Sequence, residues 1–146
     1  MGCRTMSVYK QGFTISFGDC DPAGIVFYPN FYRWMDATFH GFLRARSIGH
    51  AALCRELGAI GLGLMETGMR FRAPGQDGDR LCFAIDAIDW SARSYKVSYS
   101  ARVGATLLAE GFETRGLFRR DDTGRLSAAA VAPLRTLLER AGEGTH

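Results

Sequence analysis

The segment NFYRWMDATFHGFL, residues 30–43, carries its large side chains at the spacing of an amphipathic helix. They recur at i, i+3, i+4, i+7, i+8, i+11 and i+12. The stripe consists of Phe31, Trp34, Met35, Thr38, Phe39, Phe42 and Leu43. Polar side chains occupy the opposite face. Because four members of the stripe are aromatic, we expect this helix to pack against a large apolar surface.

On both sides of this helix the apolar pattern changes to a period of two, which is typical of half-buried strands. Before the helix, FTISF at 13–17 predicts a first strand. After it, a short helix ending near Gly58 is predicted, and then alternation predicts four more strands, at 65–72, 81–90, 94–103 and 106–119. The pattern breaks near Ala87, which predicts a bulge in the second of these four strands.

The C-terminal segment 133–141 predicts a further helix with Pro133 near its start. Residues 1–10 are expected to be flexible. The order of a strand, a long helix, four strands and a terminal helix favours an antiparallel sheet. We therefore expect one α+β domain over residues 1–146, in which a five-stranded antiparallel sheet wraps around a long central helix.

Composition excludes several protein classes. Hydrophobic residues make up 47% and charged residues 23% of the chain, which excludes intrinsic disorder and fibrous repeats. The net charge is +3 with scattered basic residues, so we expect no nucleic-acid partner. The sequence has no run of about 18 apolar residues and no apolar leader in its first ten residues, which predicts no membrane span. The cysteines, Cys3, Cys20, Cys54 and Cys82, lack the spacing of a zinc site or a disulfide framework, so we expect a reduced, cytoplasmic compartment and no metal.

The segment GDCDPAGIVFYPN at 18–30 holds the densest group of chemically active residues and lies just before the long helix. A helix N-terminus presents unpaired backbone N–H groups and a partial positive charge, so it can polarise a carbonyl group or hold an oxyanion. A carboxylate nearby would complete an acyl-transfer site, and Asp21 is the best placed. Position alone favours a simpler role, in which Asp21 caps a turn before Pro22, and leaves catalysis open.

The same segment resembles the 4-hydroxybenzoyl-CoA thioesterase family of hotdog-fold enzymes. GDCDPAGIV at 18–26 matches the family pattern without a gap, and Tyr28, Pro29, Asn30, Trp34 and Asp36 match beyond it. The resemblance implies a hotdog fold and hydrolysis of an acyl-CoA thioester without a metal or an organic cofactor. It further implies that Asp21 is the catalytic carboxylate, as nucleophile or as general base. The implied oxyanion donor is the backbone N–H of Tyr28.

The resemblance also bears on the acyl group. It implies that Gly24, Phe27 and Pro29 lie against the substrate. Related thioesterases for short acyl chains tend to carry His at the position of Pro29, so this chain resembles the branch that acts on aromatic acyl-CoAs, such as 4-hydroxybenzoyl-CoA. The family's Trp is Phe27 here, which leaves the exact acyl group open. A short- or branched-chain acyl-CoA is the alternative substrate.

The phosphates of CoA require cations. The family places a basic cluster after a Trp on its third strand, and the corresponding segment here, WSARS at 90–94, keeps only Arg93. The resemblance therefore implies that Arg93, with Lys96 nearby, contacts CoA. An ordinary solvated charge at the start of a strand is an equally good interpretation of Arg93.

Three other reactive side chains have simpler interpretations. His40 follows Asp36 by one turn, so we expect an i, i+4 pair between their side chains instead of a catalytic base. The aspartates on either side of Cys20 are expected to raise the pKa of its thiol, which would make it a poor nucleophile. Glu66 is the reserve carboxylate if Asp21 is not catalytic.

Two further functions are alternatives to a thioesterase. A hotdog dehydratase or hydratase generally needs a His base, which residues 18–30 lack. A non-catalytic acyl-CoA-binding protein would bind the same ligands without turnover.

A chain of 146 residues with one sheet on one helix leaves the other sheet face and the sheet edges uncovered. We therefore expect a homo-oligomer, a dimer or a dimer of dimers, with the acyl pocket at the subunit interface.

Overall fold

The computed structural model describes residues 7–46 and 48–143. In chain order these contain β1 (Tyr9–Thr14), α1 (Pro29–Ala45), α2 (His50–Leu57), β2 (Gly61–Phe71), β3 (Arg80–Trp90), β4 (Tyr95–Val103), β5 (Thr106–Arg120), β6 (Leu126–Ala129) and α3 (Ala132–Glu143). A short 3-10 turn at Phe17–Asp19 leads from β1 into the loop before α1. No helix in these ranges is both long and apolar enough to cross a membrane.

The strands form one antiparallel sheet in the order β1-β3-β4-β5-β2. The predicted α+β architecture, with an antiparallel sheet against a long helix, is confirmed. The predicted count of five strands is too low, because β6 pairs with β5 beyond the end of β4. Its sequence, LSAA, lacks the alternation of large apolar residues that identifies a strand. Pairing of residues 126–129 with 117–120 holds it in place, together with a hydrogen bond from Val131 N–H to the carbonyl of Ala92 at 3.1 Å.

Helix α1 packs on one face of the sheet with its predicted stripe buried. All seven stripe residues are 3% exposed or less. The ring of Phe39 stacks on that of Tyr95 in β4 at a centroid distance of 6.4 Å, and Phe31 meets Phe83 of β3 at 6.5 Å. Burying each large apolar side chain contributes about 1.5–3 kcal/mol, so the stripe attaches α1 firmly to the sheet.

The first strand begins earlier in the chain than the predicted 13–17. The chain leaves the sheet after Thr14 because Ile15 pairs with a distant turn: its N–H donates to the carbonyl of Asp79 at 2.9 Å and its carbonyl accepts from Gly78 at 2.7 Å. Residues 9 and 10, at the end of the segment expected to be flexible, lie in β1 and pair with β3. Residues 1–6 lie outside the described residues.

Other predicted elements are found with shifted ends. The helices predicted before Gly58 and at 133–141 correspond to α2 and α3. The predicted bulge in β3 is confirmed as a register shift between Ile85 and Ala87. Strand β2 starts at Gly61 instead of 65, and a second bulge between Leu64 and Glu66 interrupts the alternation that the sequence suggests.

Candidate active site

The loop between the 3-10 turn and α1 is closed by its own backbone. Asp21 N–H donates to the carbonyl of Ile25 at 2.9 Å, and Gly24 N–H donates to the carbonyl of Asp21 at 2.9 Å. Gly24 has a φ of 81°, a left-handed conformation that favours glycine. Cys20 and Val26 form a β-bridge that closes the base of the loop. Gly24 therefore shapes the turn that presents the side chain of Asp21.

Only one oxygen of the half-buried Asp21 carboxylate accepts a hydrogen bond from the described residues. Its Oδ1 accepts the backbone N–H of Ala23 at 2.9 Å. No donor in the described ranges reaches Oδ2. The turn-capping role predicted from position and the catalytic role implied by the resemblance are thus compatible, because they require different oxygens of the same carboxylate.

Both carboxylate oxygens of the neighbouring Asp19 accept hydrogen bonds from within the chain. Its Oδ2 accepts Ser16 N–H at 2.8 Å, and its Oδ1 accepts from Arg33 at 3.3 Å. Its backbone carbonyl accepts both Phe27 N–H at 2.9 Å and the side-chain amide of Asn30 at 2.8 Å. Asp19 therefore anchors the start of α1, and Asp21 is the carboxylate left with an open oxygen.

Tyr28 is the N-cap residue of α1 and lies in helical backbone geometry, with φ −54° and ψ −33°. The first amides of the helix are occupied: Asn30 N–H donates to the carbonyl of Phe27 and Phe31 N–H to that of Tyr28, both at 3.0 Å. Pro29 has no N–H. The N–H of Tyr28 finds no acceptor in the part of the chain that is described. It is an unpaired donor at the positive end of the helix dipole, which suits a developing oxyanion.

An apolar groove of about 410 Å³ lies beside this helix start, lined by Ile25, Val26, Tyr28, Phe31, Phe71, Arg72, Ala73, Pro74 and Gly75. The exposed rings of Tyr28 and Phe71 meet nearly edge to face at 6.2 Å. Val26 N–H donates to the carbonyl of Gly75 at 2.9 Å, which fixes the far wall. A Cβ on Gly75 would lie 2.9 Å from Cδ1 of Ile15, so only glycine allows this close approach.

Of the predicted site residues, Tyr28 lines this groove, and Gly24, Phe27 and Pro29 are its neighbours in the same loop and helix start. Gly24 forms the turn, Pro29 opens α1, and the exposed ring of Phe27 contacts that of Tyr28 at 5.7 Å. Glu66, the reserve carboxylate, is exposed on β2, about 17 Å along the strand from Phe71.

Arg93 and Lys96 lie at the opposite end of the sheet. Phe71 pairs with Ala109 of β5, which pairs with Ala101 of β4. Six residues of β4 separate Ala101 from Tyr95, or about 20 Å. Arg93 is in the turn before Tyr95, so within one chain it is not brought together with Asp21. Lys96 lies on the sheet face that α1 does not cover, with its Nζ 4.7 Å above the ring of Phe112.

A buried polar cluster under α1 was not predicted. Arg115 is 4% exposed and Glu113 is 2% exposed. Nη2 of Arg115 donates to Oε2 of Glu113 at 2.9 Å and to Oδ1 of Asp36 on α1 at 3.0 Å, and its Nη1 donates to the carbonyl of Leu62 at 3.1 Å. The hydroxyl of Tyr99 donates to Glu113 at 2.5 Å. Burial and the Glu113 carboxylate raise the pKa of Tyr99, so it stays a donor. The cluster ties α1 to β5 and β2.

Two simpler predictions are confirmed. His40 Nε2 lies 3.7 Å from Oδ1 of Asp36, the predicted pair. The pKa of the Cys20 thiol is raised, first by desolvation and then by the charges of Asp77 and Asp19. The contribution of Asp77 comes from a turn that the sequence did not place near Cys20.

The known proteins that this chain resembles in sequence and in structure include several named CoA thioesterases. No family model matches the chain. The chain is 30% identical over 122 residues to the 4-hydroxybenzoyl-CoA thioesterase of Pseudomonas sp. (strain CBS-3), covering 80% of this chain and 86% of that protein. The solved structure of 4-hydroxybenzoyl CoA thioesterase from that strain superposes with a TM-score of 0.76 at 27% identity, covering 88% of this chain and 96% of that chain. A gentisyl-coenzyme A thioesterase superposes with a TM-score of 0.73 at 28% identity, covering 86% and 98%.

Proposed function

The chain belongs to the 4-hydroxybenzoyl-CoA thioesterase family of hotdog-fold enzymes and is an acyl-CoA thioesterase, and from that premise we propose that it hydrolyses an aromatic acyl-CoA such as 4-hydroxybenzoyl-CoA to the free acid and CoA. The observation that carries the proposal is the open Oδ2 of Asp21 in the loop that leads to the unpaired N–H of Tyr28. Both groups belong to the chain itself, so the proposed reaction needs no metal or organic cofactor.

An aromatic acyl group fits the groove at the start of α1. The ring of Phe71 meets those of Tyr28 and Phe31 edge to face, at 6.2 Å and 5.6 Å. Such walls favour a flat ring that can pack against their faces or edges. Two relatives are named as thioesterases for 4-hydroxybenzoyl-CoA and gentisyl-CoA, which are CoA thioesters of aromatic acids, and this supports the same class of substrate here.

Asp21 would act through Oδ2 in one of two ways. As a nucleophile, Oδ2 attacks the thioester carbonyl carbon, the C–S bond breaks with release of the CoA thiolate, and water then hydrolyses the acyl-Asp21 anhydride. As a general base, Oδ2 takes a proton from a water molecule while that water attacks the same carbon, and the C–S bond then breaks to release the CoA thiolate, which takes up the proton from Asp21. The hydrogen bond from Ala23 to Oδ1 orients the carboxylate in both cases.

The N–H of Tyr28 would stabilise the negative charge that develops on the thioester oxygen. A preorganised donor of this kind contributes about 3–4 kcal/mol to lowering the barrier. Because the donor is a backbone group, replacement of the Tyr28 side chain should leave it in place. The N-terminus of α1 adds its partial positive charge at the same point.

The position of the described histidines disfavours a dehydratase. His40 lies on α1 about 18 Å from Tyr28 along the helix axis, and its ring is 5.4 Å from that of His50 in α2. Neither ring lines the groove. A non-catalytic binding protein would not require the open carboxylate oxygen of Asp21.

We also propose that two chains pair through β2. This strand is an edge of the sheet, and Leu64 and Met65 at its centre are 51% and 46% exposed. An unpaired edge with exposed apolar side chains is suited to pairing with a second copy of the chain. Since Phe71 of the groove belongs to β2, pairing would bring the groove close to the partner. A dimer of dimers would follow if the sheet faces also associate.

The experiment that tests the proposed function is a substrate panel. The purified protein is given aromatic, branched and straight-chain acyl-CoAs, and release of the CoA thiol is followed with a thiol reagent. We expect the highest kcat/KM for aromatic acyl-CoAs. A higher value for straight-chain esters would overturn the substrate class, and binding without turnover of any ester would support a binding protein.

A further inference from the structure

The carbonyl oxygen of Asp19 accepts two hydrogen bonds, one from each side of Tyr28. Phe27, the residue before Tyr28, donates its backbone N–H to this oxygen at 2.9 Å. Asn30, two residues after Tyr28, donates to it from its side-chain Nδ2 at 2.8 Å. The short segment that carries the N–H of Tyr28 is therefore tied at both ends to a single atom.

The same oxygen lies close in the chain to the carboxylate of Asp21. Asp19 precedes Asp21 by two residues. Between them, Cys20 forms the β-bridge with Val26 that closes the base of the loop. The carbonyl of Asp19 therefore joins the segment that presents the Asp21 carboxylate to the segment that presents the N–H of Tyr28.

The start of α1 does not need the side chain of Asn30 as a cap. Pro29 has no N–H, and the N–H groups of Asn30 and Phe31 already donate to preceding carbonyls, both at 3.0 Å. The amide of Asn30 instead reaches back 11 residues to the loop. Because this link between loop and helix is made by a side chain, a substitution can remove it without removing a backbone donor.

We infer that Asn30 is a positioning residue, whose side-chain amide sets the placement of the Tyr28 N–H relative to the Asp21 carboxylate. This inference rests on the proposed function. In that function Asp21 acts at the carbon of the thioester carbonyl group while Tyr28 donates to its oxygen, so the two groups must be placed together. A misplacement of about 1 Å in such a site can lower the rate about 10²-fold.

Asn30 acts on the rate and not on substrate binding. Its half-buried side chain does not line the groove beside Tyr28, so it has no contact with the acyl group there. Loss of its hydrogen bond should therefore lower kcat and leave KM nearly unchanged. A residue that only stabilised the fold would lower the free energy of unfolding without a separate effect on kcat of the folded protein.

The first test uses Asn30→Ala and Asn30→Asp. Both variants lack the amide donor and only the second adds a charge, so an effect that they share comes from the lost hydrogen bond. With an aromatic acyl-CoA we expect kcat to fall about 10- to 100-fold in both variants, with KM within about twofold of wild type. The matched control is Arg33→Ala, which removes the 3.3 Å hydrogen bond to the carboxylate of Asp19 and not the one to its carbonyl. We expect kcat of this control to stay within about twofold, because the pair is exposed.

The second test observes the thioester carbonyl group in protein that carries Asp21→Asn and therefore cleaves the ester slowly. A hydrogen bond to a carbonyl oxygen weakens the C=O bond and lowers its infrared stretching frequency. An aromatic acyl-CoA with an isotope-labelled carbonyl group therefore reports its contact with the N–H of Tyr28. We expect Asn30→Ala in this background to move the band to higher frequency, and Arg33→Ala to leave it in place.

An unchanged kcat for both Asn30 variants overturns the inference. A fall in kcat with an unchanged carbonyl band also overturns it, because the loss would then not come from the contact with Tyr28. Circular dichroism checks folding: Asn30→Asp takes the infrared test if Asn30→Ala is unfolded, and failure of both to fold would assign Asn30 a structural role instead. Near wild-type turnover by Asp21→Asn would contradict the proposed function, whatever the Asn30 variants do.

Discussion

The backbone N–H of Ala23 donates to Oδ1 of Asp21 at 2.9 Å, so a single hydrogen bond orients the carboxylate and leaves Oδ2 open. In the proposed mechanism this hydrogen bond fixes the rotamer of the Asp21 side chain before the substrate arrives. That preorganisation lowers the cost of reaching the reactive geometry.

Asp21→Asn should abolish most of the activity. The amide keeps the shape of the carboxylate and can still accept from Ala23 through its oxygen, but it has neither the negative charge nor the basicity of Oδ2. We expect kcat to fall about 10²- to 10⁴-fold with little change in KM. The measurement is thiol release from an aromatic acyl-CoA. Asp122→Asn, an exposed carboxylate in the β5–β6 turn, serves as the control, and near wild-type turnover by Asp21→Asn would exclude the mechanism.

Gly24→Ala should strain the loop that holds Asp21. At φ 81° the left-handed conformation of an alanine is less stable by about 1–2 kcal/mol. Either the folded state loses that stability, or the turn rearranges and moves Asp21. We expect a lower unfolding free energy in urea and a lower kcat. Gly18→Ala is the matched control, because Gly18 has ordinary φ and open space around its Cα. Equal effects of the two substitutions would contradict this account.

The loop that holds Asp21 could be predicted from sequence, and the groove beside it could not. Asp21, Gly24 and Tyr28 lie within eight residues, so one segment reveals them together. Phe71 and Gly75 join them through strand pairing and a hydrogen bond to Val26, which the sequence pattern does not encode.

The buried cluster was missed for a different reason. Glu113 and Arg115 alternate with Phe112 and Thr114, and a strand with charged residues at every second position predicts a solvent-facing side. The structure places those charges under α1, where Asp36 completes their hydrogen bonding. Polarity alone would therefore place this face of β5 in solvent.

Breaking this cluster should destabilise the fold strongly. Arg115→Met leaves the Glu113 carboxylate buried without its cation, which typically costs about 3–5 kcal/mol. We expect that loss in urea unfolding, with a smaller loss for the double variant Glu113→Gln/Arg115→Met than the two single losses added. The exposed pair Arg135 and Glu139 provides a control, since Glu139→Gln should change stability by about 0.5 kcal/mol or less. Strict additivity in the double variant would show that the two side chains are not coupled.

Stability should fall at mildly acid pH because of His40. Burial lowers the pKa of His40; Asp36 opposes this shift, while Arg115, His50 and Arg44 add to it. The unfolded chain therefore binds more protons at His40 than the folded chain, so stability is lost as pH falls below the ordinary value of 6.5 toward the lower folded pKa. Urea midpoints from about pH 7.5 to about pH 5.5 measure this loss. His40→Gln should flatten the dependence, and an unchanged slope would assign the effect to another group.

Leu64→Lys should weaken association of the chain if β2 is the dimer edge. A charge at the centre of an apolar edge must be desolvated on pairing. We expect the dimer dissociation constant to rise at least about tenfold, measured by light scattering over a range of protein concentrations. Leu126→Lys is the matched control, because Leu126 is 49% exposed on β6 and Leu64 is 51% exposed on β2.

If the groove is completed by the partner, kcat/KM should fall with the dimer fraction. A monomeric Leu64→Lys variant with full activity would show that Asp21, Tyr28 and Phe71 form a sufficient site within one chain.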